Sequence, residues 1–510
     1  MSQPFHETNS HWPDLPPLRP WQSACIRHAL DTLSTDQPHF LCQATPGAGK
    51  MLMAAMLTRE LMEREAISYV LYLGPTTTVV ERAAETLAKV TGREMHGRLG
   101  AHGAAFTYHA LRSRLNELKR LASQAKVLLI WDESHHAAGH PEALADANQW
   151  GMALMALERQ VRFTLALSGT PWRTDGSCLP LLRYLEAPTD NESADATKTS
   201  GQPQQLLQPD FIYTLEQAIQ DGVCRYPRLQ LVDNRSIRLT SYHPRSGRRE
   251  NRRFTSIPNL LKHPAIHYSS LLRHDEPMQR LLDLGSEKLD ALRKVTPDAA
   301  GLVIASDIAH AEEIAQVLED RHQTVCLVTS KEHNAHARLQ AFRDDTSQWI
   351  VSVGMVSEGV DIPRLRVCCY LSHIRTEQHF RQVLGRIIRR QGDNDGDCFL
   401  YALNEPLLRR YARRVTDDLP EDLATAALTK PPSGPNGTGA RPDGTAPADT
   451  TSESGTGSSA ETMKTVGDSH DSPPSPQVSM EGNGSTNSLD PDVAFSQAFF
   501  ERLVALKLSL

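Results

Sequence analysis

The chain has 510 residues, which is more than one hydrophobic core usually holds, so we expect two or three domains. Hydrophobic residues make up 39% and charged residues 23% of the sequence, as in ordinary soluble proteins. No apolar run reaches the length of a bilayer span and the N-terminus lacks a signal-peptide apolar region, which excludes a membrane partner and predicts a cytoplasmic protein. The net charge is -7, yet residues 431–490 hold two Lys/Arg and eight Asp/Glu. The rest of the chain is close to neutral, so any nucleic-acid surface must be a local patch.

Short β-rich runs alternate with longer amphipathic runs in two parts of the chain. The first part extends from Phe40 to Ser168, and the pattern restarts at Gly301 with GLVIAS and ends with CFLYAL at 398–403. Strands that alternate with helices form parallel sheets covered on both faces, so we predict an α/β fold with two tandem domains. The eight cysteines include no CxxC pair, which predicts buried thiols rather than zinc ligands or disulfides.

Composition sets the predicted boundaries. The segment 431–490 is rich in Gly, Ser, Thr, Pro and Asp and is predicted to be a disordered linker. Phe495, Phe499, Leu503 and Leu506 recur at helical spacing, which predicts a short terminal amphipathic helix over 491–510 that docks on its own core or on a partner protein. The other predicted units are an N-terminal domain (1–225), an interdomain linker with a basic insertion (226–280) and a C-terminal domain (281–430).

The basic insertion contains five arginines within 245–253. It is either a loop that contacts phosphates or a solvated surface insertion, and the sequence leaves both open.

The segment ATPGAGK, residues 44–50, is typical of a phosphate-binding loop between a strand and a helix. Gly47 and Gly49 would let backbone amides approach phosphate oxygens, and Lys50 would reach the terminal phosphates. A chance GxGK turn is the alternative. The next residue is Met51, where a Ser or Thr hydroxyl usually binds magnesium, so a metal there would need a water in its place.

Two acids, Asp132 and Glu133, follow the apolar run Val127–Trp131. Ligands of open α/β sheets bind at the carboxyl ends of strands, so Asp132 is a candidate Mg²⁺ ligand and Glu133 a candidate base for an attacking water. Adjacent acids at this position can also simply cap a helix. The neighbouring His135 and His136 and the preceding phosphate loop favour a site.

The sequence as a whole resembles the superfamily 2 DEAD/DEAH-box helicases of the DExH type over Leu18 to Arg390. WDESHH resembles their motif II, SGTP at 168–171 their motif III, SEGVDIP at 357–363 their motif V and QVLGRIIR at 382–389 their motif VI. LRPWQ at 18–22 is similar to the adenine-recognising entry segment. The motifs stand in the family's order, and the resemblance implies two RecA-like domains with ATP in the cleft between them.

The resemblance also implies residue roles. Arg386 and Arg389 would be arginine fingers to the γ-phosphate, with a solvated basic helix face as the alternative reading. Catalysis would involve Lys50, Asp132, Glu133, His135, Gln382, Arg386 and Arg389. The nucleotide would contact Arg19, Gln22, Thr45, Pro46, Gly47, Ala48, Gly49, Lys50, Met51, Gly359 and Asp361. Nucleic acid or coupling would involve Pro75, Thr76, Thr107, Ser168, Thr170 and Ser306.

The implied activity is an ATP- and Mg²⁺-dependent helicase or translocase. The run 209–223 resembles the interdomain segment of translocases related to type III restriction-enzyme motor subunits, which favours DNA over RNA. Two alternatives stay open at this point. One is a nucleotide-gated nucleic-acid-binding module with turnover weakened by Met51, and the other is a motor subunit of a restriction or defence complex.

Overall fold

The structure is a computed structural model of the chain. It describes residues 16–134, 149–170, 180–186, 205–242, 249–329, 331, 335–354, 362–390, 392, 395–418 and 492–504. The predicted linker 431–490 therefore lies outside the described residues. Among the described helices, none is long and apolar enough to cross a membrane.

The N-terminal domain is built on a parallel sheet. Its strands are β1 His39–Ala44, β2 Tyr69–Gly74, β3 Gly103–Thr107, β4 Val127–Asp132, β5 Phe163–Ser168, β6 Tyr184–Glu186, β7 Gln205–Leu207 and β8 Phe211–Tyr213. Its helices are α1 Pro20–Thr32, α2 Lys50–Glu63, α3 Thr77–Thr91, α4 Tyr108–Gln124, α5 Gln149–Glu158 and α6 Leu215–Gln220. Six strands pair in parallel in the order β3-β2-β4-β5-β1-β8, while β6 and β7 form a separate antiparallel pair.

The C-terminal domain follows with a second sheet. Its strands are β9 Pro227–Asn234, β10 Ile237–Tyr242, β11 Arg249–Phe254, β12 Ala300–Ala305, β13 Val325–Val328, β14 Trp349–Ser352, β15 Leu365–Leu371, β16 Cys398–Leu403, β17 Asp492–Phe495 and β18 Phe499–Leu503. Its helices are α7 Ile257–Leu260, α8 Tyr268–Leu272, α9 Asp275–Arg293, α10 Ile308–Asp320, α11 Ala335–Asp344, α12 Glu377–Ile387 and α13 Pro406–Asp417. The sheet order is β13-β14-β12-β15-β16-β9-β18, with only the β9–β18 pair antiparallel.

The central strands are apolar on both faces because helices cover both sides of each sheet. Every residue of β5 and of β15 is buried, in line with the continuous apolar runs of the sequence. Threonines cap the helices that leave the strands, as Thr76 does for α3 and Thr107 for α4. The predicted α/β fold class with two tandem parallel-sheet domains is confirmed. Six described cysteines are buried as free thiols and Cys326 is partly buried.

The predicted terminal helix over 491–510 is wrong, because its described residues form β17 and β18. Phe495, Phe499 and Leu503 are four residues apart, and an even spacing fits the two-residue period of a strand as well as a helical turn. The burial of Val493 and Phe495 alternates with exposed neighbours, as in a strand. The open edges of β9 and β10 supply main-chain partners for β18 and β17. Of the two predicted docking modes, the segment adopts the one on its own core.

The predicted interdomain linker, 226–280, is also wrong in its first part. β9 lies within the second sheet, between β16 and β18, so the C-terminal domain begins at Pro227. The sequence suggested a linker because a hairpin and three helices separate β9 from the next strand of its sheet, β12. The position of a strand in a sheet does not follow from its position in the chain. The described part of the basic insertion, from residue 249 on, forms β11, the edge of a three-stranded antiparallel sheet with β10 and β17.

Candidate active site

The phosphate-binding loop connects β1 to α2. Gly47 and Gly49 have φ angles of +81° and +91°, a left-handed conformation that glycine adopts without strain. Lys50 is the first residue of α2, and its Nζ donates a hydrogen bond to the Ala44 carbonyl at 3.1 Å. The loop therefore has the backbone shape, the helix N-terminus and the cation of an anion-binding turn.

Helix α1 holds this loop from the side. The guanidinium of Arg19 donates to the Ala48 carbonyl at 2.7 Å, and Gln22 Nε2 donates to the Gly49 carbonyl at 2.9 Å. The Gln22 Oε1 atom accepts from the Arg19 backbone amide at 2.8 Å, and the residue is almost fully buried. Arg19 and Gln22, which are both predicted to contact the nucleotide, thus lie at the loop, and their hydrogen bonds to its carbonyls hold its conformation. The contact of Gln22 with an adenine base stays a prediction.

Asp132 ends β4 beside the loop. Its Oδ2 accepts a hydrogen bond from the Tyr72 hydroxyl at 2.8 Å, and its Oδ1 accepts from the Glu133 amide at 3.0 Å. Burial raises the pKa of Asp132 to about 6, with the Glu133 carboxylate adding to the rise and Lys50 opposing it. A nearby divalent cation would favour the ionised form, so this carboxylate fits a Mg²⁺ ligand.

Glu133 has a φ angle of +51°, which is uncommon for a residue with a side chain. Such backbone strain is concentrated at functional sites, where the surrounding structure imposes it. The side chain is partly exposed, and it lines the same cavity as Lys50 and Asp132. This geometry is compatible with an acid that contacts a reactant rather than one that only caps a helix.

One cavity of about 320 Å³ brings the two halves of the predicted site together. On its N-terminal side lie Asp132, Glu133 and the loop residues Pro46, Gly47, Gly49, Lys50 and Met51. Its C-terminal side is formed by Gln382, Arg386 and Arg389 of the segment around α12. Met51, whose side chain has no oxygen, lies in this wall.

Helix α12 packs directly on the phosphate-binding loop. A Cβ built on Gly385 would lie 2.6 Å from Pro46 Cβ, and one built on Gly47 would lie 3.1 Å from Arg389 Cγ. Glycine at these two positions leaves the space that the Pro46 ring and the Arg389 side chain occupy. The two domains therefore meet at the loop, and the arginines lie beside it because the helix is pressed against Pro46.

Arg225, in the segment that connects the two domains, fixes the end of α12. Its buried guanidinium donates to the carbonyls of Leu365, Ile387 and Pro363 at 2.6 to 2.9 Å, and its Nε donates to Asp395 Oδ2 at 2.7 Å. The Arg225 amide also donates to the Ile388 carbonyl at 2.7 Å. The chain segment that crosses between the domains is thus bonded to the end of the helix that carries Arg386, and its Cys224 forms a β-bridge with Arg389.

Some predicted residues lie at the interface rather than in this cavity. Thr45 and Thr170 line a neighbouring cavity of about 290 Å³, and Arg381 and Leu384 of the C-terminal domain line its opposite side. The buried Ser168 Oγ accepts a hydrogen bond from the Thr170 amide at 3.1 Å. These contacts place the predicted coupling residues Ser168 and Thr170 next to the domain interface.

The residues predicted to contact nucleic acid are not brought to one place by the described contacts. Pro75 lines the 320 Å³ cavity, whereas Thr76 and Thr107 cap α3 and α4 at the carboxyl ends of β2 and β3. Ser306 is buried, and its hydroxyl donates to the Leu371 carbonyl at 2.8 Å. The predicted site residues His135, Gly359 and Asp361 lie outside the described residues.

Three residues of the site were missed. Tyr72 contacts Asp132, Arg82 of α3 lines the same cavity, and Arg225 holds α12. Tyr72 belongs to an apolar strand pattern that predicts core, and neither arginine lies in a recognisable motif. Only the packing of distant segments identifies them.

Comparison with known proteins gives the family. Residues 15–173 match the family described as "Type III restriction enzyme, res subunit", and residues 287–391 match "Helicase conserved C-terminal domain". The two matches have the order of the two domains and lie one within each, and together they cover slightly more than half of the chain. The chain belongs to the superfamily 2 helicases. Within this superfamily it is related to the motor subunits of type III restriction enzymes.

Mycobacterial proteins are similar to this helicase-family chain. The uncharacterized protein Rv2917 of Mycobacterium tuberculosis is 30% identical over 384 residues, which cover 73% of this chain and 59% of that protein. The uncharacterized protein ML1624 of Mycobacterium leprae is 32% identical over 387 residues, covering 74% of this chain and 60% of that protein. The helicase-family chain spans about three fifths of the length of these relatives.

A solved structure shares the fold. It is a fragment of a protein assigned as an HsdR subunit of a type I restriction enzyme from Vibrio vulnificus YJ016. The TM-score is 0.50 at 17% identity, and the match covers 79% of the helicase-family chain and 67% of the fragment. At this identity the match supports the two-domain helicase fold and carries no information on substrate.

Proposed function

We propose that the chain is an ATP-dependent helicase or translocase that hydrolyses ATP between its two domains and moves on nucleic acid in the cytoplasm. The observation that carries the proposal is the 320 Å³ cavity lined by the phosphate-binding loop, Asp132 and Glu133 on one side and Gln382, Arg386 and Arg389 on the other. A site divided between two domains makes hydrolysis depend on their closure.

The proposed roles follow from the chemistry of phosphoryl transfer, in which catalysis is mainly positioning and charge stabilisation. The loop amides and Lys50 hold the ATP phosphates, and Asp132 holds Mg²⁺, which neutralises phosphate charge. Glu133 orients and deprotonates the attacking water. Arg386 and Arg389 stabilise the charge that develops on the γ-phosphate, and Gln382 contacts the nucleotide or its water.

Coupling to nucleic acid follows from the same arrangement. Ser168 and Thr170 lie beside the interface that α12 forms with the loop, so a change of nucleotide would reach them when α12 moves. If each domain grips phosphates of one strand, cycles of closing and opening shift the grip along it. DNA is favoured over RNA because the N-terminal domain matches the motor subunit family of type III restriction enzymes.

That match also supports a second candidate function, a motor subunit of a restriction or defence complex. In that case a nuclease on another chain would cut the DNA on which this chain moves. Copurification of a nuclease from the native cell, together with ATP-dependent cleavage by the complex, would distinguish this candidate from a helicase that acts alone.

Steady-state ATP hydrolysis by the full chain tests the main proposal, with no nucleic acid, single-stranded DNA, duplex DNA, forked DNA or RNA present. We expect turnover that DNA stimulates and that Lys50→Ala or Glu133→Gln abolishes. Arg386→Ala should lower turnover by about 10³-fold or more while ATP binding remains. Arg343→Ala, on the exposed surface of α11, is the matched control and should be neutral. Tight ATP binding without turnover would instead favour a nucleotide-gated binding module.

A further inference from the structure

A second cavity lies wholly within the C-terminal domain, at the carboxyl ends of β9 and β16. Its volume is about 560 Å³, and none of its lining residues belongs to the 320 Å³ cavity. We call it the second-domain cavity. Its polar lining includes Lys262, Tyr268, Arg375, Asn404, Arg409 and Arg502. Parallel α/β sheets bind ligands at the carboxyl ends of their strands, and a volume between 300 and 1,000 Å³ is usual for small-molecule sites.

Two acids also line the second-domain cavity, and both are held by main-chain amides. Asp233 is fully buried and accepts from the Ile257 amide at 2.7 Å and the Asn234 amide at 2.9 Å. Glu405 caps α13 and accepts from the first amides of that helix at 2.7 and 2.9 Å. Amide donors stabilise both carboxylates, so the two acids are part of the fold.

The cations outnumber these acids by four to two. Arg375 lies 3.2 Å from Glu405 and Arg502 lies 3.7 Å from Asp233. Lys262 and Arg409 have no ion pair with any of the residues that the structure describes. The lining therefore carries an excess of positive charge, which favours an anionic ligand.

Two buried polar atoms of the lining have no hydrogen-bond partner in the described part of the chain. They are Tyr268 Oη, in a residue that is 4% exposed, and Asn404 Oδ1, in a residue that is 1% exposed. The Asn404 amide orientation is fixed, because its Nδ2 donates to Asp233 Oδ2 at 2.7 Å and a carboxylate can only accept. Asn404 Oδ1 is thus an acceptor beside the cavity that needs a donor, and native proteins rarely leave such an atom unsatisfied.

We propose that the second-domain cavity binds a nucleotide. Arg409 and Lys262 would contact its phosphate, since arginine and lysine are the usual phosphate-binding side chains. Asn404 Oδ1 would accept a hydrogen bond from an N–H or O–H group of its base or sugar, and the Tyr268 hydroxyl would bond the same ligand. A phosphate ion is small for a cavity of about 560 Å³, which is in the size range of small-molecule sites. The nucleotide is either free or one residue of a bound strand.

This site is independent of ATP hydrolysis at the phosphate-binding loop. Variants of the second-domain cavity change no residue of the 320 Å³ cavity, and Lys50→Ala changes no residue of the second-domain cavity. A failure of the proposed ATPase would therefore leave this inference intact, and the reverse also holds.

The test measures binding of two probes to the full chain carrying Lys50→Ala, which weakens nucleotide binding at the loop. The probes are AMP, followed by titration calorimetry, and a fluorescein-labelled dT12 oligonucleotide, followed by anisotropy. Arg409→Ala should weaken binding about 10-fold or more, as expected for a lost charged hydrogen bond. Arg410→Ala is the matched control, because it removes the same charge from the next, exposed position of α13.

Tyr268→Phe separates ligand binding from folding. The hydroxyl has no partner in the described structure, so its removal should leave the melting temperature unchanged while weakening the probe several-fold. Loss of AMP binding in both variants would identify a free-nucleotide site. Loss of dT12 binding alone would identify a strand nucleotide. Unchanged binding of both probes, or an equal loss with Arg410→Ala, would overturn the proposal.

Discussion

Gly385 of α12 lies against Pro46 of the phosphate-binding loop so closely that a Cβ on the glycine would be 2.6 Å from the proline Cβ. This contact, between residues 339 positions apart in the sequence, is where the two domains meet at the candidate active site. It brings Arg386 and Arg389 to the cavity that also contains Lys50. The contact leaves no room for a methyl group.

Gly385→Ala should therefore separate helix stability from catalysis. Alanine favours a helix over glycine by about 1 kcal/mol, which offsets much of the cost of the collision, so the melting temperature should change little. The methyl group would push α12 away from Pro46 and move both arginines, so ATP turnover should fall by about 10-fold or more. Differential scanning fluorimetry and an ATPase assay measure the two effects.

A double variant provides the control for this prediction. Pro46→Gly removes the atoms with which the new methyl group would collide. Turnover of Pro46→Gly with Gly385→Ala should then be close to that of Pro46→Gly alone. Normal turnover in Gly385→Ala itself would mean that hydrolysis does not require the domains to approach this closely.

Much of this site could be predicted from local sequence, because a short segment determines its own conformation there. The loop at 44–50 needs glycines at two positive φ angles, and Asp132 must follow a buried strand. Tyr72 and Arg225 could not be predicted, since their partners are brought to them by sheet pairing and domain packing. The terminal strands were missed for the same reason, because the edges of β9 and β10 that stabilise them are more than 250 residues away.

Arg225 is expected to be essential for the stability of the interdomain connection. Its side chain and that of Asp395 are 1% and 6% exposed, so Arg225→Met would leave three carbonyls without this donor and would remove one of the two arginines that pair with Asp395, the other being Arg366. Breaking such a pair costs about 3 to 5 kcal/mol of unfolding free energy. Urea unfolding followed by circular dichroism measures this loss.

Arg228 supplies the matched control, since it is three residues away and pairs with Asp397 at 2.8 Å while the two side chains are 26% and 34% exposed. An exposed pair contributes at most about 1 kcal/mol, so Arg228→Met should change stability little. Equal losses in the two variants would show that the bonds of Arg225 to Leu365, Ile387 and Pro363 do not stabilise the fold.

Met51 predicts an unusual magnesium dependence. It follows Lys50 and lines the cavity, yet its side chain cannot ligate a metal. Met51→Thr restores the hydroxyl, so half-maximal ATPase activity should require less Mg²⁺, by about 3-fold or more. Met51→Val has the shape of threonine without the hydroxyl and should not produce this shift. Identical Mg²⁺ titrations for the two variants would place residue 51 away from the metal.

The terminal strands β17 and β18 are expected to contribute to the stability of the C-terminal domain. β18 pairs with the edge of β9. β17 pairs with β10 and contributes Val493 and Phe495, each 9% exposed, to the hydrophobic core. Burial of such side chains contributes about 1.5 to 3 kcal/mol each, so truncation after residue 491 should lower the unfolding free energy by several kcal/mol. Deletion of residues 450–468 removes the same number of residues from the polar segment and should leave stability and ATPase activity nearly unchanged. Urea unfolding and ATPase assays on both deletions measure these effects. Equal stability of the two deletions would mean that β17 and β18 do not pair with the domain in solution. A loss of stability confined to the truncation would establish the C-terminal strands as part of the motor core.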